Sequence, residues 1–450
     1  MLVMSRATVL RWSAIIVGLP IAALSLVVLS DMIPDRFVAY RLRDAIVAGQ
    51  LDEHSYDVGY AGGQVDGYSE CKRLTIGLGV DPGVGTFESA VRSVTLGPCE
   101  TAVPKVLGWA NGEGLTGGYD YFRYWNGSTV ALRPSVAAVG LPGTRLLAAL
   151  ALAAAALAWL WRAGRRVGMG PALLALAPLA VTTDAIDLPG ALVQAIGMIV
   201  ALGASAAFLW FVSPGARRET YAAAAFGCGA VFQFFGDLTN PDAAWALVVA
   251  SAAVLAVGSM SLRGAVWRTG AAAVGWIAGF AWLWFTKWVI AALVIGYDTV
   301  RFVVTEKAEE RLSGEVDGAD SSVFSGVSAA WGVWRDQPLT TFALVGLAAV
   351  AIGVAMRRGD LRSSWAPRLV LAAAATIPVV WHIVLRNHTS VHFWFTYRSF
   401  AVAFGILLMA LTARIRSSDD GVGDPSIHQV FGDSGEAPHT VGGAATPQAQ

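Results

Sequence analysis

Charge is what this chain has least of: Asp, Glu, Lys and Arg together make up 14% of its 450 residues, against about 25% in ordinary soluble domains. So few charges cannot cover a water-exposed globule of this length, and a soluble fold is excluded. An excess of either sign is also missing, since 32 basic residues balance 32 acidic ones, which removes the basic footprint of a nucleic-acid binder. Lysine occurs only four times, the other 28 basic residues being Arg, and cysteine only three times. What is abundant is apolar: 55% of residues, gathered in blocks long enough for a bilayer core that needs roughly 20 helical residues to cross.

Ten candidate spans follow, near 14–30, 145–161, 169–184, 190–212, 221–236, 243–261, 271–297, 339–356, 368–385 and 393–413. Those at 169–184 and 221–236 are short enough to be tilted or re-entrant. With the N-terminus inside, Arg162, Arg165, Arg166, Arg217, Arg218, Arg263, Arg268, Arg357, Arg358, Arg362, Arg368, Arg414 and Arg416 all fall on the cytoplasmic side, while the short outer loops hold only Arg386. That matches the positive-inside rule. The expectation is an all-α integral membrane protein of about ten spans with a large first extracytoplasmic loop. Residues 1–30 form a retained signal anchor, because no small-x-small cleavage site follows Leu29. Residues 31–143 form the loop domain, 144–414 the helix bundle with a second outer loop at 298–338, and 415–450 a disordered cytoplasmic tail. Cys71 and Cys99 then lie in an oxidising compartment and are expected to pair; Cys228, inside an apolar run, reads as a small core residue.

Acidic residues concentrate on the outer side, where most are solvated loop carboxylates. Within Asp66-Gly67-Tyr68-Ser69-Glu70-Cys71 two carboxylates stand four residues apart beside the expected disulfide; on a helix they share a face, where they can act as a base and its partner or bind a divalent cation. The segment Tyr119-Asp120-Tyr121-Phe122-Arg123-Tyr124-Trp125-Asn126-Gly127 suits a headgroup-level aromatic belt, and aromatic faces beside Arg and Asn also suit a sugar ring. Asn126-Gly127-Ser128 matches a glycosylation sequon, set aside as chance. Lys287 lies inside the seventh span, where a charge demands a buried partner or a cavity. His388 and His392 are spaced i, i+4, but no third ligand adjoins them for zinc. With Arg398, just inside the last span, they suit an anionic headgroup or pyrophosphate.

The Asp66–Glu70 element, Arg123-Tyr124-Trp125-Asn126-Gly127 with Leu132-Arg133-Pro134, Thr286-Lys287-Trp288, and Asn387-His388-Thr389 with His392 and Phe395-Thr396-Tyr397-Arg398 together resemble a family of bacterial polytopic membrane proteins from surface-polysaccharide loci. The resemblance runs from about residue 31 to 414. Its layout is similar to GT-C glycosyltransferases, with many spans, acids in the first outer loop and a polyprenyl-phosphate-linked sugar as donor. Two positions depart from the family pattern: Ser69-Glu70 stands where Thr-Asp is expected, and Asn126 where His is expected.

The resemblance implies a sugar transferase of the bacterial plasma membrane, acting on an envelope glycan, lipid or protein at the outer face, with both termini cytoplasmic. Asp66 and Glu70 are the expected catalytic carboxylates; Asp31 and Asp35, directly after the first span, are a rival pair, since GT-C enzymes often keep their catalytic acid there. Arg123, Trp125, Lys287, His388, His392 and Arg398 are the expected substrate contacts, and no residue is assigned to a metal. The competing class is a transporter or flippase of a lipid-linked sugar or small anion, which Lys287 and the Pro and Gly interruptions near Gly190, Pro214 and Pro241 favour. Absence of an internal repeat and the size of the outer loop speak against it. If these residue assignments are right, for either class, Asp66, Lys287, His388 and Arg398 line one outward-facing cavity.

Overall fold

Backbone polar groups inside a bilayer have no water to bond, so apolar runs of this length fold as helices. The computed structural model describes residues 6–54, 56–59, 61–313, 315–316, 319–320, 322–358 and 365–415. Arg362, Arg416 and the tail from Ser417 lie outside the described residues. Among the described residues, seven helical segments are long and apolar enough to cross a membrane: Ser13–Asp31, Thr129–Val167, Leu192–Phe211, Leu262–Ile295, Pro338–Arg358, Trp365–Val384 and Phe393–Thr412. The chain is a multi-pass membrane protein.

In chain order the helices are α1 (Arg6–Asp31), α2 (Asp35–Val47), α3 (Gly67–Leu74), α4 (Thr86–Arg92), α5 (Cys99–Ala110), α6 (Thr129–Val167), α7 (Met169–Thr182), α8 (Leu192–Phe211), α9 (Arg218–Gly236), α10 (Pro241–Ala256), α11 (Leu262–Ile295), α12 (Tyr297–Ser313), α13 (Ser325–Arg335), α14 (Pro338–Arg358), α15 (Trp365–Ala372), α16 (Thr376–Val384), α17 (Arg386–Val391), α18 (Phe393–Thr396) and α19 (Arg398–Thr412). Three of the ten expected spans, those of α7, α9 and α10, fall short of the length or apolarity of the other seven. α10 is buried along its whole length except at Trp245, as expected of a central helix apolar all round. α9 lies so close to α11 that a Cβ on Gly279 would collide with the Phe226 carbonyl, and one on Gly275 with that of Ala222. Small residues permit this backbone approach in the absence of a hydrophobic drive between membrane helices.

The loop domain carries α2 to α5 and an antiparallel hairpin, β1 (Tyr56–Val58) with β2 (Gln64–Asp66). The expected Cys71–Cys99 disulfide is formed and joins α3 to the start of α5. This domain has no separate core. Val38, Leu42, Leu74, Leu96 and Val103 pack in one cluster with Leu132 and Val136 of α6 and Leu192 and Ile196 of α8, so burying the loop also fixes it on the bundle. α6 begins at Thr129, earlier than the expected boundary at 143, and breaks at Gly140, whose φ of 69° is open to glycine without a Cβ penalty.

At the opposite end the arginines do more than record topology. Arg162 donates to Leu209 O at 3.1 Å in the last turn of α8, Arg368 donates to Ala410 O at 2.9 Å, and Arg358 to Thr412 O, both in the last turn of α19. Cations there satisfy orphan carbonyls and meet the negative end of the helix dipole.

Candidate functional site

Where the loop domain meets the bundle, a cleft of about 280 Å³ opens between α3, the segment 121–124, the turn 237–239, α12 and the α17–α18 corner. Four cations line it (Lys72, Arg73, Arg123 and Lys307), with the aromatics Tyr68, Tyr121, Tyr124 and Phe395, the carboxylates Asp237 and Glu310, and His388 and His392. Helix α3 places Tyr68, Ser69, Lys72 and Arg73 on the cleft side because i, i+3 and i+4 positions share a face. The disulfide at Cys71 and the Asp66 cap at its start, accepting from Ser69 N at 2.9 Å, hold that face in place.

The cations are already oriented. Lys72 Nζ donates to Tyr68 Oη at 2.7 Å and stands 3.9 Å from the centre of that ring. The Arg123 guanidinium lies 5.3 Å from the ring centre of Tyr121 and 5.9 Å from that of Tyr124, a geometry in which the ring quadrupole attracts the cation. Arg73 donates to Asn126 Oδ1 at 2.6 Å and pairs with Asp237. Burial raises the Asp237 carboxyl above its ordinary range, and the Arg73 guanidinium pulls against that rise. Asn126, in left-handed backbone with φ 56°, also donates to the carbonyls of Tyr121 and Tyr124. It is fully buried, so the sequon cannot accept a glycan.

The expected site residues divide into three groups. Arg123, His388 and His392 come together in the cleft, the two imidazole rings 4.7 Å apart. Trp125 and Lys287, expected to hold substrate, instead tie the loop domain to α11. Trp125 Nε1 donates to Leu283 O at 2.6 Å; Lys287 Nζ donates to Val91 O at 2.7 Å and to Ser93 Oγ at 3.3 Å, at the C-terminal end of α4. Trp284 and Trp288 complete this attachment by donating to Arg123 O at 2.8 and 3.1 Å, which sets where the Arg123 side chain starts. Lys287 thus has carbonyl partners suited to a helix C-terminus, and its place in the span supplies no argument for a carrier.

The third group lies behind the cleft wall. Asp66 is buried below Ser69; burial raises its carboxyl, opposed by hydrogen bonds from Ser69, Gln194 and Trp394. Arg398 donates to Thr183 O at 3.0 Å and to Gln194 Oε1 at 2.5 Å. Glu70 points to the bundle: its Oε2 accepts from Leu192 N at 2.6 Å and its Oε1 is 3.6 Å from Arg145 Nη2. These contacts dock α3 on the start of α8, and Glu70 stays near enough to Asp66 for that charge to raise its carboxyl further; neither carboxylate lines the cleft. Asp31 and Asp35, the rival pair, flank Arg133 at 3.8 and 2.8 Å and serve the same kind of attachment. Of Asp66, Lys287, His388 and Arg398, His388 alone lines this cleft among the described residues.

Burial pushes the Glu70 carboxyl up to about 7, with Arg145 and the Leu192 amide pulling the other way. A folded-state value above the ordinary 4.5 means that stability is full below pH 4.5 and is lost as pH rises through 7. At about 1.4 kcal/mol per unit the loss is on the order of 3 kcal/mol. Unfolding in detergent at pH 5 and pH 8 should show that fall in the wild type and a much smaller one in Glu70→Gln, which keeps an acceptor for Leu192 N; equal slopes would refute the assignment.

Sequence reasoning missed Lys72, Arg73, Asp237, Lys307 and Glu310. One signal was legible: Glu306-Lys307-Ala308-Glu309-Glu310 is the densest charge run before the tail in a chain poor in charge. Among the described residues no group of three or more His, Cys, Asp or Glu is arranged to hold a metal ion. Fold and cleft together define a multi-pass helical membrane protein with a cationic, aromatic-lined cleft at one end of its bundle. No family model, curated protein or solved structure matches the chain.

Proposed function

We propose that the protein is a GT-C-like glycosyltransferase of the bacterial plasma membrane. It takes a sugar from a polyprenyl-phosphate donor and passes it to an envelope glycan, lipid or protein at the outer face, with the cleft as the reaction site. The observation that carries this reading is the lining of the cleft, four cations interleaved with three tyrosines. Cations held by aromatic rings suit a phosphate and the tyrosine faces suit a sugar, the two halves of such a donor.

In this chemistry the acceptor hydroxyl oxygen bonds to the anomeric carbon, the bond from that carbon to the phosphate oxygen breaks, and the hydroxyl proton goes to a base. Lys72, Arg123 and Lys307 would meet the charge that gathers on the departing phosphate, the kind of preset electrostatic stabilisation that gives the largest catalytic gains. Both cleft carboxylates are paired, Asp237 with Arg73 and Glu310 with Lys307, but the first pair is buried whereas the Glu310 side chain is half exposed and open to an acceptor, so Glu310 is assigned as the base. Asp66 positions Ser69 and the α3 face from behind.

Purified protein in detergent, supplied with a labelled polyprenyl-phosphate sugar and an envelope extract, should transfer label to acceptor and release polyprenyl phosphate. Binding of the donor without any product, at normal folding, would favour the carrier instead.

A further inference from the structure

At the end of the bundle away from the loop domain a second, shallower cleft of about 550 Å³ lies between the start of α9 and the start of α11, lined by Arg217, Arg218, Arg263, Arg268, Ser261 and Trp267. Of the four guanidiniums, that of Arg218 pairs with Glu219 at 2.9 Å. Arg268 is fixed in the wall by donating to Ala216 O at 2.7 Å, whereas Arg217 and Arg263 are exposed. Two long helices also begin here, so both add the positive ends of their dipoles. On the outer surface of α11 beside this cleft, Leu262, Val266 and Trp267 are 46%, 52% and 58% exposed.

A concentrated positive charge bordered by exposed apolar side chains and an interfacial Trp has the chemistry of a lipid rather than of a free anion. The phosphate takes planar, bidentate donors from Arg, and the chains lie along the apolar helix face at the depth where Trp concentrates. We infer that this cleft binds the headgroup of an anionic phospholipid, such as phosphatidylglycerol, from the leaflet opposite the loop domain. The inference stands apart from the glycosyltransferase reading and does not depend on it.

The test is native mass spectrometry of the full chain in detergent with phosphatidylglycerol or phosphatidylcholine added. Wild type should retain phosphatidylglycerol preferentially. Arg217→Gln with Arg263→Gln should weaken that retention roughly 30-fold, from about 5-fold per arginine near a membrane surface. Arg166→Gln with Arg357→Gln removes the same charge from the same end outside the cleft and should leave retention unchanged. Equal retention of both lipids, or equal weakening by the two double variants, would overturn the proposal. Displacement of the lipid by free glycerol phosphate at equal concentration would overturn the choice of a lipid over a small anion.

Discussion

Arg73→Ala is expected to destabilise the protein by about 3–5 kcal/mol, the usual result of removing one partner of a buried ion pair. The side chains of Arg73 and Asp237 are 7% and 5% exposed, so the change strands a carboxylate that burial already pushes toward protonation. It also removes the donor to Asn126 Oδ1 and with it the support for the carbonyls of Tyr121 and Tyr124 that Asn126 holds. Replacing both partners should cost far less than replacing Arg73 alone, because no charge is then left unpaired. A double-mutant cycle of Arg73→Met and Asp237→Asn, read by thermal unfolding in detergent, measures the coupling. Additive effects would mean that the pair does not hold α3 to the 237–239 turn.

Glu310→Gln should lower the rate of sugar transfer about 10²- to 10⁴-fold, the range for loss of a general base, while binding of the donor changes little. The split between turnover and binding matters, because Lys307 lies 3 residues before Glu310 and pairs with it, so a purely electrostatic role would weaken binding instead. Asp66→Asn provides the contrast. It retains an oxygen to cap α3, so a positioning residue should lose much less rate than Glu310. Should Asp66→Asn abolish transfer while Glu310→Gln leaves it intact, the base is Asp66, as its place in the sequence first implied.

The membrane class was legible because it depends on apolar runs, which are local. The disulfide was legible because Cys71 and Cys99 both fall in one polar segment. Span lengths were read less well: α11 continues for 34 residues, roughly 50 Å at 1.5 Å per residue, starting nine residues before the expected span, and its far end, still apolar, meets α4 of the loop domain. Lys287 therefore looks like an isolated intramembrane charge in the sequence, yet in the fold it donates to the carbonyls of Ala90 and Val91, nearly 200 positions earlier in the chain. The same long-range docking gives Trp125, Glu70 and Arg398 partners within the protein. Each is a polar or aromatic residue in an apolar setting, a pattern that marks a buried partner equally well whether that partner is substrate or backbone. Only folding decides between the two. His388, His392 and Arg123 reach the cleft because their segments lie at the loop-domain end of the bundle, whereas Lys72 and Arg73 gave no periodic or motif signal beyond following Cys71.

The central claim is that this cleft receives a lipid-linked phosphate. An electron cryomicroscopy structure of the full chain in a lipid nanodisc with added polyprenyl phosphate tests it most directly. The account predicts phosphate density between Lys72, Arg123 and Lys307, with the chain leaving toward the bilayer past the α17–α18 corner. Phosphate bound elsewhere on the protein, with the cleft empty, would contradict it.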